Sequence, residues 1–171
     1  MLDAEYVRSL DDEILKDVYY YHNKVSDIID LYTIGCELSE WDGEKIARLI
    51  DTDGLDNKIV IVNTCAVTDL AQQASEKVVE RLYNIYPNKK FFIVGCGVDY
   101  NKGYYDRYGK ALTNAEKFKI ENYGLSRKAD SLNVTLNIHR DVGTVKIEDG
   151  CYNNCAYCVI HKIRPHYMMP Y

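Results

Sequence analysis

Hydrophobic positions along this chain follow two periods. Leu31-Tyr32-Thr33-Ile34, Ile59-Val60-Ile61-Val62 and Phe91-Phe92-Ile93-Val94 are short, nearly continuous apolar runs, the pattern of strands buried on both faces of a parallel sheet. Between them apolar residues recur at helical spacing. Trp41, Ile46, Leu49 and Ile50 follow Ser39-Glu40-Trp41-Asp42, which reads as a capping box at a helix start. Ala71, Ala74, Val78, Leu82 and Ile85 mark the inner face of a second helix, capped by Thr68 and stopped by Pro87.

The flanking segments are less regular. Ile14, Val18, Tyr21, Val25 and Ile28 recur every three or four residues and predict a helix over 11–28, packed as an N-terminal extension on the domain after it. Lys110-Ala111-Leu112 suits an edge strand, and Thr113 with Glu116 suits the cap of a helix ending by Gly124. Residues 125–141 are polar and read as a linker with a short strand near Val134 to Ile138. Thr144 to Glu148 then alternates as a strand should.

Strand alternating with helix predicts an α/β fold, a flavodoxin-like parallel sheet with right-handed crossovers and helices on both faces. In the order 2-1-3-4-5 its first three strands are neighbours. The expected division is a helical extension over 1–28, the α/β domain over 29–130, a linker over 131–143 and the start of a further unit over 144–171.

Composition narrows the function. No run of about 18 apolar residues exists, and the N-terminus lacks the basic start and apolar core of a secretory signal, so a cytoplasmic protein without a membrane span is expected. In that reducing setting six cysteines suggest metal ligands or catalytic groups more than disulfides. A formal net charge of -5 opposes tight phosphate binding by this chain alone. After Cys151 the chain turns basic, however: His161, Lys162, Arg164 and His166 follow without an acidic residue, as a solvated tail or as partners for an anionic ligand.

Cys151, Cys155 and Cys158 stand at C-x3-C-x2-C spacing directly after Gly150. Three thiols are one short of a four-thiolate site, so an iron–sulfur cubane held there would keep one iron open. His161 offers the alternative, a zinc site of three cysteines and one histidine. Cys36, Cys65 and Cys96 lie far apart in sequence, yet each follows the carboxyl end of a predicted strand, the edge where α/β sheets bind ligands. Core burial explains one such cysteine well; three at equivalent positions point to a shared ligand.

Four motifs together resemble the radical-SAM methylthiotransferases: Thr33-Ile34-Gly35-Cys36, Asn63-Thr64-Cys65-Ala66-Val67-Thr68, Val94-Gly95-Cys96 and Glu148 through Cys158. Val67-Thr68 and the segment Leu112 to Lys117 look most like the branch acting on threonylcarbamoyladenosine in tRNA. They match less well the branches acting on isopentenyladenosine or on an aspartate of a ribosomal protein. The resemblance implies two [4Fe–4S] clusters, an auxiliary one on Cys36, Cys65 and Cys96 and a radical-SAM one on Cys151, Cys155 and Cys158. At the latter, S-adenosylmethionine would be cleaved to a 5′-deoxyadenosyl radical, with Tyr157 packing near the adenine. It also implies a tRNA anticodon region as substrate, an electron donor such as flavodoxin, and a β/α barrel of which 144–171 would be only the start. The chain therefore looks like an amino-terminal fragment. Its rival is a non-catalytic α/β module binding zinc or an iron–sulfur cluster.

Overall fold

The computed structural model describes residues 15, 17–128, 137–139, 142–144, 146–164 and 166–168. Its centre is a sheet of five strands in sequence order: β1 (Tyr19–Lys24), β2 (Ile29–Gly35), β3 (Ile59–Thr64), β4 (Lys90–Gly95) and β5 (Lys110–Leu112). Strands β2 to β5 run parallel, with Ile29 opposite Ile59, Val60 opposite Phe91 and Ile93 opposite Ala111. The β-branched and aromatic runs form these strands because both of their faces are covered.

Alternation splits the core in two. Tyr32, Ile34, Val60, Val62, Phe91 and Ile93 point to one face, where α2 (Asp69–Ile85) and α3 (Cys96–Tyr105) supply Val78, Leu82, Val98 and Tyr105. Leu31, Ile59, Ile61, Phe92 and Val94 point to the other, under Ile46, Ala47 and Leu49 of α1 (Glu37–Leu49) and Tyr123 of a 3-10 helix at Ile120–Tyr123. Successive crossovers β2-α1-β3 and β3-α2-β4 thus step the same way across the sheet with their helices on opposite faces. Such a pair has opposite hands, so one of the two departs from the right-handed rule.

Three expectations change. The helix predicted over 11–28 is absent from 19–24, where β1 pairs antiparallel with β2, Tyr19 opposite Gly35 and Lys24 opposite Asp30; most of 11–18 lies outside the described residues. The period was misleading because β1 is only half-buried, and its polar groups bond to α1: Tyr21 donates to Glu44 at 3.0 Å and Asn23 at 2.6 Å, while Tyr19 donates to Glu40. The sheet is therefore mixed, its order sequential, with β1 at the edge beside β2.

The helix predicted from Thr113 is instead a turn followed by the 3-10 helix. Glu116 turns back to accept from the Thr113 N–H at 3.0 Å and its hydroxyl at 2.9 Å, and Gly124, at φ 66°, ends the segment. Beyond it, β6 (Asn137–His139) pairs with β7 (Val142–Thr144), while β8 (Glu148–Asp149) pairs with β9 (Tyr167–Met168). Between β8 and β9 lie the cysteine loop and a one-turn helix α4 (Ile160–Ile163). Both short pairs are antiparallel, unlike the neighbouring strands of a β/α barrel.

Candidate metal centre

Cys36, Cys65 and Cys96 stand at the carboxyl ends of β2, β3 and β4, as their positions in the sequence suggested, and all three line one cavity of about 440 Å³. Each also sits at or near a helix start. Cys36 is the N-cap residue of α1, Cys96 opens α3, and Cys65 precedes Thr68, whose hydroxyl oxygen caps α2 by accepting from the Ala71 N–H at 3.2 Å. Three helix amino termini bring partial positive charge to this rim.

Two glycines make the close packing possible. A Cβ on Gly35 would lie 2.6 Å from the Cys65 Cβ and 2.8 Å from its sulfur, and Gly35 holds φ at +124°. At Gly95, with φ +97°, a Cβ would stand 2.2 Å from the Asn63 side-chain oxygen. Any larger residue meets both a collision and a backbone conformation that side chains rarely adopt. Ser75 of α2 fixes the Cys65 backbone, its hydroxyl accepting from the Cys65 N–H at 2.8 Å and lying 3.1 Å from the Cys65 carbonyl oxygen.

Burial pushes the Cys65 thiol up to about 11; a hydrogen bond from the Val67 backbone opposes this, while Cys96 and Cys36 add to it. A metal overcomes that penalty by binding the thiolate. Among the described residues no three His, Cys, Asp or Glu side chains form a group ready to hold a metal ion. Cys36, Cys65 and Cys96 nevertheless offer three thiols to one cavity. Thiols are the donors an iron–sulfur cluster takes, so the residues present fit one.

The second motif forms a loop between β8 and α4. Its cysteines are part-buried, the Cys158 N–H donates to the Cys155 carbonyl at 3.1 Å, and the Asn153 N–H lies 3.4 Å from the Cys151 sulfur. Tyr157 is 93% exposed and Tyr152 84%, the latter against His166 with ring centroids 3.4 Å apart. The flanks of this motif, not its thiols, reach the first site: Glu148, Gly150, Ile160 and Arg164 line the same cavity as Cys36, Cys65 and Cys96.

A buried polar network joins the two regions, and sequence reasoning did not find it. Asp42 of α1 pairs with Lys117 at 2.6 Å, Lys146 at 2.7 Å and Arg164 at 3.3 Å; Asp149 pairs with Arg164 at 2.8 Å and also with Lys146. Arg164 also directs its Nε–H at the Cys96 sulfur, 3.1 Å away, and the Asn114 amide donates to the Ile163 carbonyl at 2.8 Å. Burial raises the Asp42 carboxyl, but the surrounding cations win and hold it at about 2. In the basic tail, Lys162 is exposed whereas Arg164 is buried. The one signal for this was the position of Arg164, six residues past Cys158.

Residues 29–112 match the uncharacterized protein family UPF0004. The chain is similar to the threonylcarbamoyladenosine tRNA methylthiotransferase of Rickettsia prowazekii, 25% identical over 79% of this chain and 35% of the relative. The enzyme of that name from Chlamydia pneumoniae is 27% identical over 82% of this chain and 37% of its own length. The ribosomal protein uS12 methylthiotransferase of Prochlorococcus marinus is 26% identical over 77% and 34%. The chain thus spans about a third of the length of these curated relatives. No solved structure matches it, and among the described residues no helix is long and apolar enough to cross a membrane.

Proposed function

We propose that this chain, which belongs to the methylthiotransferase family through its UPF0004 domain at residues 29–112, carries the two iron–sulfur sites of a tRNA methylthiotransferase. The observation that carries this reading is the shared cavity. Three cysteines from three strand ends line it, and the flanks of the second cysteine motif close it.

Cys36, Cys65 and Cys96 would hold the auxiliary [4Fe–4S] cluster, and Cys151, Cys155 and Cys158 the second, with one iron left open to the amino and carboxylate groups of S-adenosylmethionine. Loaded, the two clusters would supply reductive cleavage of S-adenosylmethionine and the sulfur of a methylthio group. The chain's own residues bind, orient and shield. Helix amino termini at Cys36 and Cys96 bring partial positive charge to the first site, and Leu38, Val67, Ala71 and Ile160 add apolar side chains to the cavity lining. Tyr157 presents an exposed ring on which an adenine can stack.

The substrate within this reading is threonylcarbamoyladenosine beside a tRNA anticodon, supported by Val67-Thr68, the segment Leu112 to Lys117 and relatives of that name. The enzyme would work in the cytoplasm with an electron donor such as flavodoxin. With a net charge of -5, phosphate contact would fall to other parts of the whole enzyme. Anaerobic reconstitution tests the reading: about eight irons and eight sulfides per chain are expected from two tetranuclear clusters. One zinc without sulfide would overturn it in favour of a zinc module. That second reading is favoured by His161, whose Nδ1 is buried without a hydrogen-bond partner three residues after Cys158.

A further inference from the structure

The buried network beside Cys96 is rich in charge. Among the described residues it pairs three cations, Lys117, Lys146 and Arg164, with two carboxylates, Asp42 and Asp149. Every one of these side chains is at least 96% buried. Burial pushes the Lys117 ammonium towards its neutral form, whereas the guanidinium of Arg164 keeps its charge. Asp99 lies part-buried nearby. It accepts from the Asn114 N–H at 2.7 Å, and burial pushes its carboxyl up towards the neutral form.

One face of the network remains, and it holds sulfur. Arg164 divides its donors three ways: Nη1 to Asp149 at 2.8 Å, Nη2 to Asp42 at 3.3 Å and Nε to the Cys96 sulfur at 3.1 Å. The two carboxylates thus hold the guanidinium plane so that its remaining edge meets that sulfur, as the rigid fork of arginine allows and a lysine ammonium would not. Asn114 adds a longer contact, its amide nitrogen 3.6 Å from the same atom. Cys96 is 1% exposed, so solvent does not weaken either interaction. A metal-bound Cys96 is a thiolate, the acceptor a guanidinium N–H favours.

We propose that Arg164 is a positioning residue for the first centre: its Nε–H hydrogen-bonds the Cys96 sulfur, and its charge raises the reduction potential of the iron–sulfur centre which that sulfur ligates. The inference rests on the cluster assignment made above. Hydrogen bonds to cluster sulfurs and nearby positive charge stabilise the reduced, more negative state, and so set potential independently of cluster type. Because Arg164 comes from the segment that carries the second cysteine motif, seating that segment is what delivers the donor to the first centre.

The test uses the full 171-residue chain with Cys151, Cys155 and Cys158 replaced by alanine, so that one centre remains. Iron and sulfide are counted after reconstitution, and the midpoint potential is read by titration with dithionite and mediators. The expected result is an unchanged iron content with potentials falling in the order Arg164, Arg164→Lys, Arg164→Gln. Lysine keeps the charge and loses the planar donor; glutamine loses the charge as well. Should Arg164→Gln not fold, Arg164→Lys alone carries the test and must still lie below the arginine form. Equal potentials in chains with equal iron would overturn the inference and leave the cluster assignment standing. Failure of the arginine form to take up iron and sulfide would overturn that assignment, and this inference with it.

Discussion

The ammonium of Lys146 and the carboxylate of Asp42 meet at 2.7 Å with neither side chain exposed, although 104 residues separate them. Asp42 also serves Lys117 and Arg164, so one helix residue anchors three cations, two of which belong to the cysteine-bearing segment after residue 144. Replacing Asp42 by asparagine would leave those cations facing one another inside the protein. The expected loss is about 3–5 kcal/mol, as for other buried pairs broken on one side. Urea unfolding measures it, and a loss below about 1 kcal/mol would mean the network is hydrated in solution.

Acid should unfold the chain through the same residue. An ordinary aspartate ionises near 3.8, and Asp42 in the folded protein near 2. A carboxylate with a depressed folded value stabilises the protein above the unfolded value and loses that contribution as pH falls through the folded one. Asp149 and Asp30 are shifted the same way, Asp149 by Arg164 and Lys146 against the opposing effect of burial, and Asp30 chiefly by its hydrogen bond with His22. Stability should therefore drop most between about pH 4 and pH 2, on the order of 2 kcal/mol for Asp42 alone. In Asp42→Asn the slope over this window should shrink; an unchanged slope would assign acid unfolding to other groups.

Gly35 and Gly54 provide a matched pair of substitutions. Both have positive φ, +124° and +74°, but a Cβ at Gly35 collides with Cys65 whereas one at Gly54 meets nothing within 4 Å. Gly54→Ala should cost about 1 kcal/mol of backbone strain. Gly35→Ala adds the collision, should cost about 2 kcal/mol more, and should displace the Cys65 thiol and reduce iron uptake. Thermal unfolding and iron analysis of the two variants separate strain from site damage, and equal effects on both would contradict the packing described.

A chain ended after Asp141 should still unfold cooperatively, because both hydrophobic clusters are built from buried residues no later than Tyr123. It loses Lys146, Asp149 and Arg164, leaving Asp42 with Lys117, so its melting temperature should lie several degrees below that of the full chain. Circular dichroism would show a broad, non-cooperative melt if the later segment were instead part of the core.

The two cysteine sets should load separately. Cys65→Ser is expected to remove about half the reconstituted iron and sulfide and to leave any spectral response to S-adenosylmethionine, whereas Cys155→Ala should remove the other half together with that response. Loss of all iron in either variant would point to one shared centre.

The sequence by itself determined the sheet and the places where chemistry collects. Ile59 to Val62 and Phe91 to Val94 are apolar at every position, which only a strand covered on both faces can use, and so Cys65 and Cys96 had to emerge together at one edge. Local pattern failed at β1, where Tyr19, Tyr21 and Asn23 bond to α1 instead of burying an apolar stripe, and a tyrosine-rich strand mimics a helical period. Only the tertiary structure decided that Asp42, Lys117, Lys146, Asp149 and Arg164 form one buried network beside Cys96. Charged residues read singly look solvent-facing, and nothing in local sequence tells a surface lysine from one that meets a carboxylate 104 residues away. That pairing is a property of chain packing, in which desolvation and Coulomb attraction balance only after the distant segments have met.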